Sequence, residues 1–213
     1  GVEEGERYYT IDEDERIKLD FYKNMTLHFF APASFLCAEL AHESPVARET
    51  LLTRYRAMRD KLRLEFPDVP ADEQELEFEV TLASLAAAGV IPSSATPAIA
   101  VHGDRGRRKS RWLESLSHSF FESYYAATRA VHGAESASEK DLVARVESTA
   151  TKLYRNGVLE RKESLARPLL ANAVKQSIAC GALGRDPADA NKLAVDETKR
   201  RAEEAFWARF LRL

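Results

Sequence analysis

The sequence predicts a mainly α-helical fold, a helical bundle of about six to eight helices with room for short β-hairpins of winged-helix type. Three observations predict it. Apolar residues recur at three- and four-residue spacing along nearly the whole chain, which is the period of a helix with one buried face. Three segments end on a glycine followed by two apolar residues, Gly89-Val90-Ile91, Gly157-Val158-Leu159 and Gly181-Ala182-Leu183, as helices closed by a left-handed cap do. Strand signal is sparse: Ile99, Ala100 and Val101 suit one short strand, and nothing in the sequence identifies its partner.

Taken in order, Thr10 is a good cap for a helix whose first turn, Asp12 to Glu15, complements the positive end of the helix dipole. Ile17, Phe21, Met25, Leu27 and Phe29 form its apolar stripe to about Ala31, and Pro32 is expected to end it, leaving a short second helix from Ser34 to His42. Ser44-Pro45 reads as the start of the next helix, which carries Leu51, Leu52, Tyr55, Met58, Leu62 and Phe66 inward until Pro67 and Pro70 stop it. A further helix runs from about Asp72 to Ala88. Residues 91–110, IPSSATPAIAVHGDRGRRKS, are rich in Pro, Ser and Gly and read as a loop. Trp112, Leu113, Leu116, Phe120, Tyr124 and Ala127 then predict one long aromatic-rich helix from Ser110 to about Val131. Helices from about Ser138 to Asn156 and from Ser164 to Cys180 follow, and 138–195 has room for a helix, turn, helix and hairpin. The last helix, Val195 to Leu213, ends in Phe206, Trp207, Phe210 and Leu211, which either cover the domain or reach a partner. The resulting organisation is a helical half at 1–91, a basic linker at 92–110 and a second helical half at 111–213, with packing as one domain left open.

Composition excludes several classes. With 213 residues and 45% apolar content the chain can bury a core, and a net charge of −3 disfavours a duplex nucleic acid as partner. Cys37 and Cys180 sit in apolar helical patterns and are expected to be reduced and buried. No apolar run approaches ~18 residues and no secretion signal opens the chain, so membrane contact is expected to be peripheral. Five His and two Cys are scattered without ligand spacing, and neither a Gly-rich phosphate loop nor a serine nucleophile elbow is present, so no metal and no cofactor is expected.

Two clusters carry candidate function. Arg105, Arg107, Arg108, Lys109 and Arg111 fall within seven residues on an expected flexible loop leading into Trp112, a pattern that suits a phosphate or an acidic lipid surface; Asp104 and Glu114 offset part of the charge. Tyr22, Lys23, Asn24 and His28 form the second. Asn24 and His28 are four apart on a helix, so the amide is placed to orient the imidazole at a domain seam or a pocket wall.

The stretch LDFYKNMTLHFFAPASF at 19–35, with Tyr22-Lys23-Asn24 before His28 and an apolar helix, resembles the segment that follows the catalytic domain in glycerol-3-phosphate acyltransferases of the large membrane-associated bacterial and mitochondrial type. FFESYYAATRAV (120–131), KLYRNGVL (152–159) and SLARPLLANAVKQSIACGAL (164–183) extend the resemblance over most of the chain. It implies a part in moving a fatty acyl group from an acyl thioester to the first hydroxyl of glycerol 3-phosphate, the opening step of phospholipid synthesis. That family uses a His with an Asp five residues later. Here the fifth residue after His28 is Ala33, after His42 Ala47, after His102 Arg107, after His118 Ser123 and after His132 Ala137. Lacking an imidazole oriented by a carboxylate, the chain has no general base for the glycerol hydroxyl and is expected to be inactive alone. Gly1 is consistent with a remnant of tag removal, which fits a piece cut from a longer protein. The implied partners are an upstream catalytic acyltransferase domain, an acidic membrane surface on the cytoplasmic side, and, for the whole enzyme, the acyl thioester and glycerol 3-phosphate. The competing reading is a stand-alone helical or winged-helix-like module for a protein or nucleic acid, for which the helix at 164–180 offers only Arg167 and Lys175.

Overall fold

In the computed structural model α1 (Glu13–His42) runs through Pro32 without interruption. The structure describes residues 2–3, 6–7, 13–132, 138–186 and 189–211, with side chains described for 26–132, 138, 140–185 and 192–211. The cap at Thr10 and the stripe residues Ile17, Phe21 and Met25 lie outside the described side chains. The expected break at Pro32 is corrected by packing. Ala31, Phe35, Leu36 and Cys37 are fully buried around the proline, and that burial outweighs the single backbone hydrogen bond a helical proline forfeits. Phe29, expected on the inward stripe, is instead 74% exposed, while Leu27 beside it is buried.

Strands β1 (Val2–Glu3) and β2 (Glu6–Arg7) pair with each other ahead of α1. After α1, β3 (Val46–Ala47) precedes α2 (Arg48–Lys61), so the helix starts three residues later than Ser44-Pro45 indicated. The residues between are taken by a pairing invisible in the sequence: Val46 lies opposite Ile99 and Ala47 opposite Ala98 in β4 (Ala98–Ile99), which supplies the missing strand partner. On α2 and the turn after it, Leu51, Tyr55, Met58, Leu62 and Phe66 are buried as their spacing predicts.

α3 (Gln74–Ala87) closes as expected. Gly89, at φ +67°, donates to Ala86 O at 2.9 Å and Val90 to Leu85 O at 2.9 Å, the two bonds of a left-handed cap. That cap is the seat for α4 (Gly103–Ser115). His102 N–H donates to Val90 O at 2.8 Å, and a Cβ on Gly106 would stand 2.8 Å from the same carbonyl, so only glycine allows this approach. Residues 103–110, expected as loop, are therefore helical. Their small side chains hide a helix face because the face is built for contact with α1: Ser110 hydrogen-bonds the Cys37 thiol, and Ser34 Oγ–H donates to Ser117 Oγ at 2.7 Å in the buried seam.

The long aromatic helix divides accordingly into α4 and α5 (His118–Val131), with Leu116 and Ser117 in the turn. α5 is the centre of the fold, twelve of its fourteen residues being buried against α6 (Glu139–Arg155), α7 (Arg167–Ala179), α8 (Glu197–Ala208) and the 3-10 turn at Lys162–Leu165. Ser138 caps α6 by accepting Asp141 N–H, and Asp196 caps α8 by accepting Thr198 and Lys199 N–H. Between α7 and α8 lies the antiparallel hairpin of β5 (Leu183–Asp186) and β6 (Asp189–Val195), so helix, helix and hairpin follow in the expected order. The terminal aromatics cover the domain: Phe121 stacks on Trp207 at 6.0 Å and lies 4.8 Å from Phe210. Phe35, Phe66 and Phe120 form a chain at 5.3 and 5.0 Å across the two halves, and one apolar core extends from Leu27 to Leu211. Among the described residues no helix is long and apolar enough to cross a membrane.

Candidate anion-binding groove and its flanking faces

With Gly106, Ser110, Leu113 and Glu114 turned inward, the remaining positions of α4 face outward by helical geometry. Arg105, Arg107, Arg108 and Arg111 are exposed and Lys109 is half-buried, so the five predicted cations stand on a rigid helix rather than a loop. Two have internal partners: Arg107 pairs with Asp104 one turn back, and Lys109 donates to Ala88 O at the negative end of α3. Arg105, Arg108 and Arg111 make no hydrogen bond or ion pair among the described residues. Beside them Trp112 is 57% exposed and meets the edge of Phe30 at 6.2 Å. The apolar surface continues past Phe30 into a shallow depression between α1 and α3 walled by Phe29, Leu76 and Val80.

On the other flank of α4 is a groove of about 1020 Å³, walled by Ala38, Leu40, Ala41 and His42 at the end of α1, by Arg107, Ser110, Arg111 and Glu114, and by Arg209 and Phe210 beyond α8. Arg209 is held from three sides. Its guanidinium lies 4.6 Å from the Phe206 ring centre and 4.5 Å from that of Phe210, and it is ion-paired with Glu39, whose side chain is fully buried. Burial raises the Glu39 pKa, against the pull of Arg209 and of Arg54 at 3.9 Å, while burial lowers that of Arg209 and Glu39 opposes it. Each charge is thus what makes the other tolerable. In the neighbouring seam, burial pushes the Cys37 thiol up to about 12, so it is not a nucleophile.

Sequence reasoning found Arg107 and Arg111 but missed Arg209 and His42, which reach the groove from distant segments. The one signal for Arg209 was a cation set inside the aromatic run Phe206 to Leu211. Of the second predicted cluster, Tyr22, Lys23 and Asn24 lie on α1 but outside the described side chains; His28 is exposed with its ring 3.9 Å from that of Phe29. Among the described residues of this cluster, His28 is not on the groove wall. Cys37 and Cys180 are unpaired thiols, Cys37 buried and Cys180 partly so. Among the described residues no group of three His, Cys, Asp or Glu is placed to hold a metal.

Among curated proteins none matches the chain significantly. The family model described as the glycerol-3-phosphate acyltransferase C-terminal region matches residues 2–186, most of the 213-residue chain. The chain belongs to the glycerol-3-phosphate acyltransferase C-terminal region family.

Proposed function

We propose that this chain is the noncatalytic C-terminal region of a glycerol-3-phosphate 1-O-acyltransferase, which supports an upstream catalytic domain and holds the enzyme peripherally at the cytoplasmic face of an acidic membrane. The observation that carries the reading is family membership over residues 2–186, taken with the lack of any Asp five residues after a His in this sequence. Without that pair nothing here is arranged to deprotonate the glycerol hydroxyl, so the region serves the reaction by position.

Two surfaces support that role. Phe29, Leu76 and Val80 expose apolar area around one depression, of the kind that marks an interaction seam, and Phe29 lies on the α1 helix that also bears Tyr22, Lys23 and Asn24. The outer face of α4 joins Arg105 and Arg108, which have no partner among the described residues, to Trp112 and Phe30. Cations worth about 1 kcal/mol each at an anionic surface stand beside rings that favour the headgroup layer.

Acyl transfer from a labelled acyl thioester to glycerol 3-phosphate, measured for this chain alone and for the chain joined to its natural upstream sequence, tests the reading. Activity in the longer protein only is the expected result. Turnover by the chain alone, or by neither, removes it.

A further inference from the structure

We propose that the groove between the ends of α1 and α8 and the inner flank of α4 is a binding site for a phosphate monoester carried on an apolar body, with Arg107, Arg111 and Arg209 as its cationic contacts. This site does not rest on the membrane reading, whose residues Arg105, Arg108 and Trp112 lie on the outer face of the same helix.

The chemistry of the walls selects the ligand class. Guanidinium groups present planar pairs of N–H donors that match phosphate oxygens, and three of them line one groove. Arg107 and Arg111 are one helical turn apart, and Arg209 comes from a segment some hundred residues away. Their internal partners leave capacity for a ligand. Arg111 has no partner among the described residues. Arg107 shares a pair with Asp104, whose side chain is 81% exposed, and such surface pairs exchange readily for a better anion. Arg209 is fixed by Glu39 and two aromatic rings, so its direction is set before any ligand arrives. Glu114 is on the same wall but only 8% exposed, while Glu39 and Asp104 are engaged by Arg209 and Arg107, which leaves Arg111 as the cation without an internal partner among the described residues.

Size and polarity add the apolar body. A groove of about 1020 Å³ is at the upper end of ligand sites and far larger than a bare phosphate fills. Leu40, Ala41, Val101 and Phe210 line it alongside the arginines, which suits an acyl or similar apolar group attached to the phosphate.

Isothermal titration calorimetry on the full chain decides it, with three probes: glycerol 3-phosphate, a soluble short-chain 1-acylglycerol 3-phosphate, and the free fatty carboxylate of the same chain length. The acylglycerol phosphate is expected to bind, with the carboxylate weaker. Comparable binding of glycerol 3-phosphate would overturn the apolar body; binding of the acylated probe well above glycerol 3-phosphate supports it. R111Q, which removes no hydrogen bond or ion pair among the described residues, and R107Q are each expected to weaken binding by about tenfold, as loss of a charge-assisted hydrogen bond does, while R105Q/R108Q leaves it unchanged. No binding by either phosphate probe, equal binding of the carboxylate, or equal sensitivity to R105Q/R108Q overturns the site. Vesicle sedimentation is a separate readout, and its failure would count against the membrane reading alone.

Discussion

α4 and α5 adjoin in the chain and have nearly the same length, 13 and 14 residues, yet they do opposite things. Twelve residues of α5 are buried against four of α4. The polar groups of α5 are absorbed internally. Glu122 accepts N–H bonds from Glu160 at 2.6 Å and Arg161 at 3.0 Å, Ser123 donates to Ser164 O at 2.8 Å, and Tyr124 donates to Glu65 at 2.9 Å. The polar groups of α4 are displayed to solvent and to a groove. One helix is scaffold, the other is surface. Substitutions on α5 and its partners should therefore move stability, and substitutions on the outer face of α4 should move binding.

The largest effect is expected from Trp207→Ala, which empties the volume packed on Phe121 and Tyr124. A loss of about 4 kcal/mol corresponds to about 10 °C in the thermal midpoint for a chain of this size, read by circular dichroism. A shift under 2 °C or so would mean that α8 is not integral to the core that α5 organises.

Glu122→Ala should cost about 2–3 kcal/mol, because it leaves buried backbone N–H groups without an acceptor. Glu122→Gln keeps an acceptor and separates charge from hydrogen bonding. Burial raises the Glu122 pKa more than its N–H donors lower it, and Glu39 and Glu65 are raised by burial as well. Between the unfolded carboxylate value and these raised ones the folded state binds more protons, so the contribution of these groups to stability is full below the unfolded pKa and is lost as pH rises through the folded pKa values. Denaturant midpoints measured across that window should fall with pH, and more shallowly in Glu122→Gln.

Gly106→Ala tests how α4 is seated. A Cβ 2.8 Å from Val90 O forces the helix off the α3 cap at a cost of about 1–3 kcal/mol, and a variant of unchanged stability would show that the seat is loose. The smallest effect on stability, within about 0.5 kcal/mol, is expected for Arg105→Gln with Arg108→Gln. The same pair should reduce sedimentation with acidic vesicles severalfold, each charge contributing about 1 kcal/mol. Reduced stability with unchanged sedimentation would reverse the roles assigned to the two helices.

How far the sequence was legible differs between these regions for a physical reason. Where one residue type has one local use, the reading was accurate: the glycine cap at Gly89, the helix start near Ser138, and the inward stripe of α2. Where packing chose between local options it was not. Pro32 stays helical because its neighbours are buried in a common core, and 103–110 is helical because glycine and serine there serve close contact with α1 and the α3 cap rather than freedom of the chain. The α4 cations were found as a run, but their division into an outer face and a groove wall depends on which side of the helix is covered.

By itself, the sequence determined that this is a helical chain of the acyltransferase C-terminal type without the paired His and Asp, since local propensity, apolar period and motif spacing are all written in consecutive residues. Only the tertiary structure decided that Val46 pairs with Ile99, that Arg209 meets Glu39, and that Arg209 shares a groove with Arg107 and Arg111. Those neighbours are 53 to 170 positions apart in the first two cases, and contacts between distant segments follow from how helices stack, which no short window of sequence contains.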